Sequence, residues 1–387
     1  MRKIVAAVFL SALLVACGSG DQTGEAVAPG STSVSVETTV TTSGEPGTAP
    51  ATSTPNPSEP GRLDVTLQEI PLDEEPSGFT QDGDLIWVVS RDAGELLAVD
   101  VGAGETGTAF TIGGEPVAVA PAEGSLWVTE HEFGDNVVRR VDANTGEVMA
   151  EVSSSPGTHP LHVVGGGGAV WATISGAEVE RIDPATNEVV ETISASEISH
   201  PSGYGALVFD FGSLWMIDYQ SGRLLRIDPA DNQITATFED LGYSAEDLGG
   251  GSVGIHATGP AALATTADGL WVLSDTVNPD QTDVAGYGAL FLVDPDSEEI
   301  VRRVDLTFEP DPSSNPGLVI TDGAAWFIEA VDGNIVRVDL TTGLEDYIYT
   351  GSDLPLGLVA TTDMLWSLRY GGLSGIDLAE AAQLAER

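Results

Sequence analysis

The chain has 387 residues, 60 of them acidic against 14 basic, a formal net charge of −46 and a single cysteine. That charge balance excludes nucleic acid as a natural partner, since a phosphate backbone is held by clustered cations. One cysteine excludes an intramolecular disulfide or a cluster of thiolate metal ligands.

The first residues are a short basic start, Arg2 and Lys3, an apolar stretch from Ile4 to Leu14, and then Leu14-Val15-Ala16-Cys17. The apolar stretch is well short of the roughly 20 residues a membrane span needs. From Gly18 to Pro60 the chain is mostly Ser, Thr, Gly, Pro, Ala and Glu, with no aromatic residue to seed a core. Residues 18–61 are therefore expected to be a disordered tether, with a typical reach of roughly 35–40 Å.

An apolar strand pattern, Leu63 to Leu72, follows without a partner beside it in sequence. Beyond it seven tryptophans, Trp87, Trp127, Trp171, Trp215, Trp271, Trp326 and Trp366, recur at intervals of 40, 44, 44, 56, 55 and 40 residues. Each sits in a short apolar run of the Leu-Trp-Val kind, followed by a loop and an Asp-containing turn. Trp127, Trp171 and Trp215 lead into RVDANTGEVMAEV at Arg140, RIDPATNEVVETI at Arg181 and RIDPADNQITATF at Arg226. The apolar residues alternate or form short β-branched blocks between Gly, Pro, Asn and Asp, which is strand-and-turn chemistry. Units of this length with four short strands are the blades of a propeller.

The expected fold is all-β, a seven-bladed β-propeller over residues 62–380. Only one clear strand, around Leu373 to Leu378, follows Trp366, so the early strand Leu63 to Leu72 is expected to complete the last blade as its outer edge. Residues 381–387 read as a tail. The tryptophans, on the second strand of each blade, should fill the gap against a neighbouring blade. The repeated Asp100, Asp142, Asp183, Asp228, Asp294, Asp339 and Asp377 should cap backbone N–H groups in turns.

Blade-to-blade loops and the loops between second and third strands emerge on one face, here the upper face. It carries two long insertions, Glu239 to Gly259 and Ser274 to Gly288, and all five histidines: His131, His159, His162, His200 and His256. His159 and His162, with His200 one blade on and Glu130 and His131 next door, form a candidate site for a divalent metal ion, or for an imidazole base beside a carboxylate. Three residues beyond each tryptophan stand Ser90, Glu130, Ile174, Asp218, Ser274, Glu329 and Arg369, near the tops of the second strands. Asp218, Tyr219, His256, Asp275, Glu329, Arg369 and Tyr370 are candidate ligand-binding residues of that face. Pairing of Arg369 with a carboxylate across the channel would account for its charge without a ligand.

Two resemblances add to this reading. Leu14-Val15-Ala16-Cys17 is similar to a bacterial lipoprotein signal, which implies removal of the leader and lipidation of Cys17. The resemblance places the chain on the outer side of the cytoplasmic membrane or the cell surface, touching the membrane through lipid alone. GSLWVTE at Gly124 to Glu130, RRVDANTGEV at Arg139 to Val148 and ERIDPATNEVVETI at Glu180 to Ile193 resemble the YVTN-type repeats and the virginiamycin B lyase-like (streptogramin lyase) propellers. The lyase resemblance implies a histidine base with a magnesium-binding Glu and His; here the late blade carries Glu329 followed by Ala330 and Val331.

Two functions are expected from this. One is a non-catalytic, monomeric, lipid-anchored propeller that needs no cofactor and binds a cell-envelope protein, a glycan or a small ligand. The other is a metal-dependent lyase or hydrolase around His159, His162, His200 and Glu130.

Overall fold

The structure, a computed structural model, describes residues 60–386 except 131–135, 176–177, 195–205, 219–221, 240, 242–259, 277–286, 309, 312–316, 322, 331 and 351–353. Cys17, the tether, His131, His200, Tyr219 and His256 lie outside the described residues, as does the side chain of Asp275.

Seven antiparallel sheets succeed one another at residues 78–111, 116–153, 160–194, 207–238, 260–305, 318–348 and 355–377, each running from inner to outer strand in chain order. The inner strands touch in cyclic order, the last meeting the first. This is a seven-bladed β-propeller. The closing strand, Leu67–Pro71, pairs antiparallel with Gly372–Asp377 and completes blade seven from outside, as the sequence led us to expect. Just before it, Gly61–Arg62 pairs in parallel with Glu345–Ile348 and adds a fifth strand to blade six. The chain thus crosses the outer edges of two blades before entering the first.

All seven tryptophans lie on second strands and are at most 4% exposed. Each belongs to a different hydrophobic cluster, and each cluster joins one blade to the next: Trp127 meets Val163 and Val170 of blade three, and Trp171 meets Leu214 and Met216 of blade four. Trp366 packs with Phe79, Ile86 and Val88, joining blade seven to blade one. The indole N–H groups of Trp127, Trp171 and Trp215 donate to the carbonyls of Ala122, Gly166 and Asp210, five residues earlier. Cross-strand from Trp127, Trp171, Trp215 and Trp326 stand Arg140, Arg181, Arg226 and Arg337. Each guanidinium lies over its ring, at 5.2–5.9 Å from the centroid. In blade five Arg302, one strand further out, takes the same place over Trp271.

Three of these arginines also reach the next blade. Arg140 donates to Pro184 O and Asn187 Oδ1, Arg181 to Asn232 Oδ1, and Arg226 to Pro295 O and Glu298 Oε1. Asn187, Asn232 and Glu298 occupy equivalent turn positions with φ of 57°, 61° and 57°, the left-handed region that Asn tolerates better than most residues. The aspartates opening these turns behave as expected. Asp100, Asp142, Asp183, Asp228, Asp294 and Asp339 each accept from one or two backbone N–H groups two or three residues on.

Asp377, the seventh, caps a helix by accepting from Glu380 N. That helix, Leu378–Ala385, stands where a tail was expected, and Ala381 is fully buried against blades six and seven. Blades are packed closely enough at the centre that a Cβ on Gly166 would fall 2.0 Å from Phe209 Cγ on the next inner strand. Outer edges are guarded differently: blades two to five carry a register shift in the outer pair, a bulge that discourages edge-to-edge pairing.

Trp171→Ala should therefore lower unfolding free energy by about 3–5 kcal/mol, read from denaturant melts, while truncation of the exposed Val190 on the outer strand should stay within about 0.5 kcal/mol.

Candidate functional site: the upper face

The ring of residues three beyond the tryptophans is buried, apart from Arg369, which is half-buried. Its polar members other than Ser90 are engaged near their own blades. Glu130, with no exposed surface, holds Arg139 at 2.8 Å, and Arg139 also reaches Glu151 at 3.2 Å and donates to Ile112 O. Asp218 pairs with Arg223 at 3.2 Å across the hairpin of blade four. Glu329 accepts from Asp332 N at 2.5 Å and Asn334 Nδ2 at 3.2 Å. Ser274 donates to Leu241 O, tying down the connection that enters blade five. Arg369 does not reach across the channel. It pairs with Glu69 on the closing strand at 2.7 Å, and Ser374 donates to the other oxygen of the same carboxylate. The charges of this ring hold loops and the closing strand in place.

Of the candidate metal ligands, Glu130, His159 and His162 are described. His159 Nδ1 lies 2.7 Å from Asn136 Oδ1, and its backbone N–H meets Ser175 Oγ. His162 sits two residues beyond Pro160, within a register shift of the inner strand of blade three. Its burial pulls the imidazole pKa down to about 4, so the ring is neutral at neutral pH. Among the described residues no group of three His, Cys, Asp or Glu side chains is placed to hold a metal ion. A buried carboxylate missed in the sequence, Glu180 on the third strand of blade three, accepts from both Ser155 N and Ser155 Oγ at 2.8 Å. It shares a strand face with the core residue Ile182, and that parity was the available signal.

The upper face also opens into a cleft of about 330 Å3 between blades seven, one and two. Its walls are Ser77, Gly78 and Phe79 at the start of the first inner strand, Arg91 and Asp92 in the next hairpin, Val117 and Ala118 of blade two, and Leu356, Leu368 and Tyr370 of blade seven. A second depression adjoins it, bounded by Arg91, Asp92, Gly114 and Glu115. Tyr370, a candidate ligand-binding residue, is on this wall and 56% exposed. Asp218, Glu329 and Arg369 are not among the lining residues.

A repeated proline builds the cleft. Pro76, Pro116, Pro160, Pro260 and Pro355 each stand eleven residues before a tryptophan. In blades two, three, five and seven the inner strand shifts register directly after that proline. Val117 and Leu356, which line the cleft, are residues of these shifts. The Pro-to-Trp spacing was the sequence signal for this architecture.

No protein-family model matches the chain, and no curated protein matches it. Among solved structures it is similar to Kuenenia stuttgartiensis hydrazine synthase, with a TM-score of 0.61 and 14% identity over 82% of this chain and 97% of that one. It is also similar to the computationally designed Ika8 protein, with a TM-score of 0.55 and 12% identity over 82% of this chain and 98% of that one. At these identities the likeness is one of fold.

His162 fixes the sign of one pH effect. An unfolded imidazole titrates near 6.5 and the folded one near 4, so between those values the unfolded chain binds the extra proton and stability falls as pH drops. Glu345 and Asp346, held above the usual carboxylate range by burial, act in the opposite sense at the acid end of the window. Denaturant melts from pH 7 to pH 4.5 should show the decline, and His162→Gln should remove on the order of 1–2 kcal/mol of it, less than the full shift implies because the residue as a whole is half-buried.

Proposed function

We propose that this chain is a non-catalytic binding propeller whose upper face takes its ligand, carried outside the cytoplasmic membrane on a lipid attached to Cys17. The observation that carries the reading is the division of labour on that face. The ring residues most suited to catalysis are spent on structure, Glu130 on Arg139, Asp218 on Arg223 and Arg369 on Glu69. The open cleft beside them combines a largely polar wall with the partly exposed apolar side chains Val117 and Leu356 and an exposed tyrosine, a concave surface on which a small ligand can be held by both kinds of contact. No cofactor enters this reading, and the ring closes within one chain, so a monomer is its natural state. Extracytoplasmic placement is supported by the leader resemblance. It agrees with the acidic surface, which stands off anionic lipid, and among the described residues no helix is long and apolar enough to cross a membrane.

The metal-dependent lyase or hydrolase reading has less support, because Glu130 already faces a guanidinium. Metal content and melting temperature with and without EDTA separate the two. The binding reading expects substoichiometric metal and an unmoved melt; a tightly held ion that raises the melting temperature would contradict it. A thermal-shift screen of glycans and small molecules against wild type and Leu356→Trp, which fills the cleft, should give hits that vanish in the variant. Hits indifferent to that substitution would contradict an upper-face cleft site.

A further inference from the structure

We infer that the cleft between the last and first blades is a site for a small zwitterion with an apolar body, of the free amino acid or short-peptide class. This rests on the upper-face binding reading and names its ligand chemistry.

Arg91 is the first observation. Among the described arginines it alone has a side chain with no ion pair, hydrogen bond or ring contact. Arg62 pairs with Asp64, Arg303 with Asp305, Arg223 with Asp218 and Arg369 with Glu69; Arg139 is held by Glu130 and Glu151; the remaining five stack on tryptophans. In a chain with 60 acidic residues an unpaired guanidinium stands out, and this one lines both depressions. Its planar fork is the natural partner of a carboxylate.

The charges around it are of the other sign. Glu75 and Asp92 share the main cleft, and Glu115 bounds the adjoining one. A simple anion would meet Arg91 but approach against a net charge of −46. A simple cation would be drawn in but leave Arg91 unmet. A molecule bearing both charges satisfies both sides, with its carboxylate on Arg91 and its ammonium toward Asp92, Glu75 and Glu115. The apolar body then lies against Val117 and Leu356, the partly exposed apolar side chains of the wall, under the exposed ring of Tyr370, which can also face an ammonium.

The cleft lies across the join between blade seven and blade one, so an occupant contacts both and should stabilise the closed ring. Calorimetric titration of the purified full chain with L-phenylalanine, L-phenylalaninamide and N-acetyl-L-phenylalanine tests the assignment. The free amino acid should bind at least about tenfold tighter than either blocked form, and raise the melting temperature. Arg91→Ala should weaken L-phenylalanine by about tenfold and leave the amide unchanged; Asp92→Asn with Glu115→Gln should weaken L-phenylalanine and leave the acetylated form unchanged, because each blocked form already lacks the charge in question. Equal binding of all three probes, or binding of none, would overturn the zwitterion assignment. If none binds while Leu356→Trp still abolishes hits from the wider screen, only the ligand class falls; if Leu356→Trp abolishes nothing, the upper-face reading falls with it.

Discussion

The rest of the structure depends on one contact, the tryptophan of each blade pressed against the blade that follows. A four-stranded sheet has two faces and cannot bury both by itself. Stacking in a ring covers both faces of every blade, and a large ring on the second strand is what fills the space where twisted sheets diverge. Seven clusters, one per junction and each built around one tryptophan, are the result. A closed ring has one more junction than an open row of seven, and that additional junction is the Trp366 cluster between blades seven and one. It is made possible by a strand from the other end of the described chain, Leu67–Pro71, fastened by Glu69 to Arg369 and Ser374.

That junction and its neighbour between blades one and two differ from the others. From blade two to blade six an arginine lies over the tryptophan, and in three of those blades it also reaches the next blade's turn. At Trp87 and Trp366 the cross-strand partners are Ala98 and Gly375, and both indole N–H groups lack a hydrogen-bond partner among the described residues. The arginine that covers the tryptophan in blades two to six is therefore missing on both sides of blade one, and the cleft of the upper face opens at the same place. The closure point gives up some cohesion and gains a concave surface. A binding site at a join whose two sides come from opposite ends of the domain can couple occupancy to stability without any moving lid.

Much of this was legible in the sequence because it repeats. The tryptophans and the capping aspartates are set by local chemistry copied seven times, so their roles could be read from spacing, and the missing fourth strand of the last blade could be read as the one departure from that repeat. What could not be read depends on single, non-repeated encounters. Arg369 could equally have faced a carboxylate across the channel or one beside it on the closing strand; only the strand register decides, and it places Glu69 within 2.7 Å. Gly61–Arg62 is too short and too polar to read as a strand and owes its pairing to the outer edge of blade six. The helix at Leu378–Ala385 did carry a signal, Asp377 followed three residues later by Glu380, but the same aspartate opens a turn in every earlier unit, and the repeat masked it. Arg91 is unremarkable as a residue; its meaning comes from the partners that every other described arginine has found.

The measurement that bears most directly on this account compares the chain beginning at residue 60 with one beginning at residue 73, which lacks the closing strand, by melting and amide hydrogen exchange. If closure creates the seventh junction, the shorter chain should melt earlier, lose protection in blades seven and one ahead of blades three and four, and regain both when a peptide of residues 61–72 is added. A shorter chain with the same melting temperature and the same protection in blades seven and one would show that the ring does not depend on that strand.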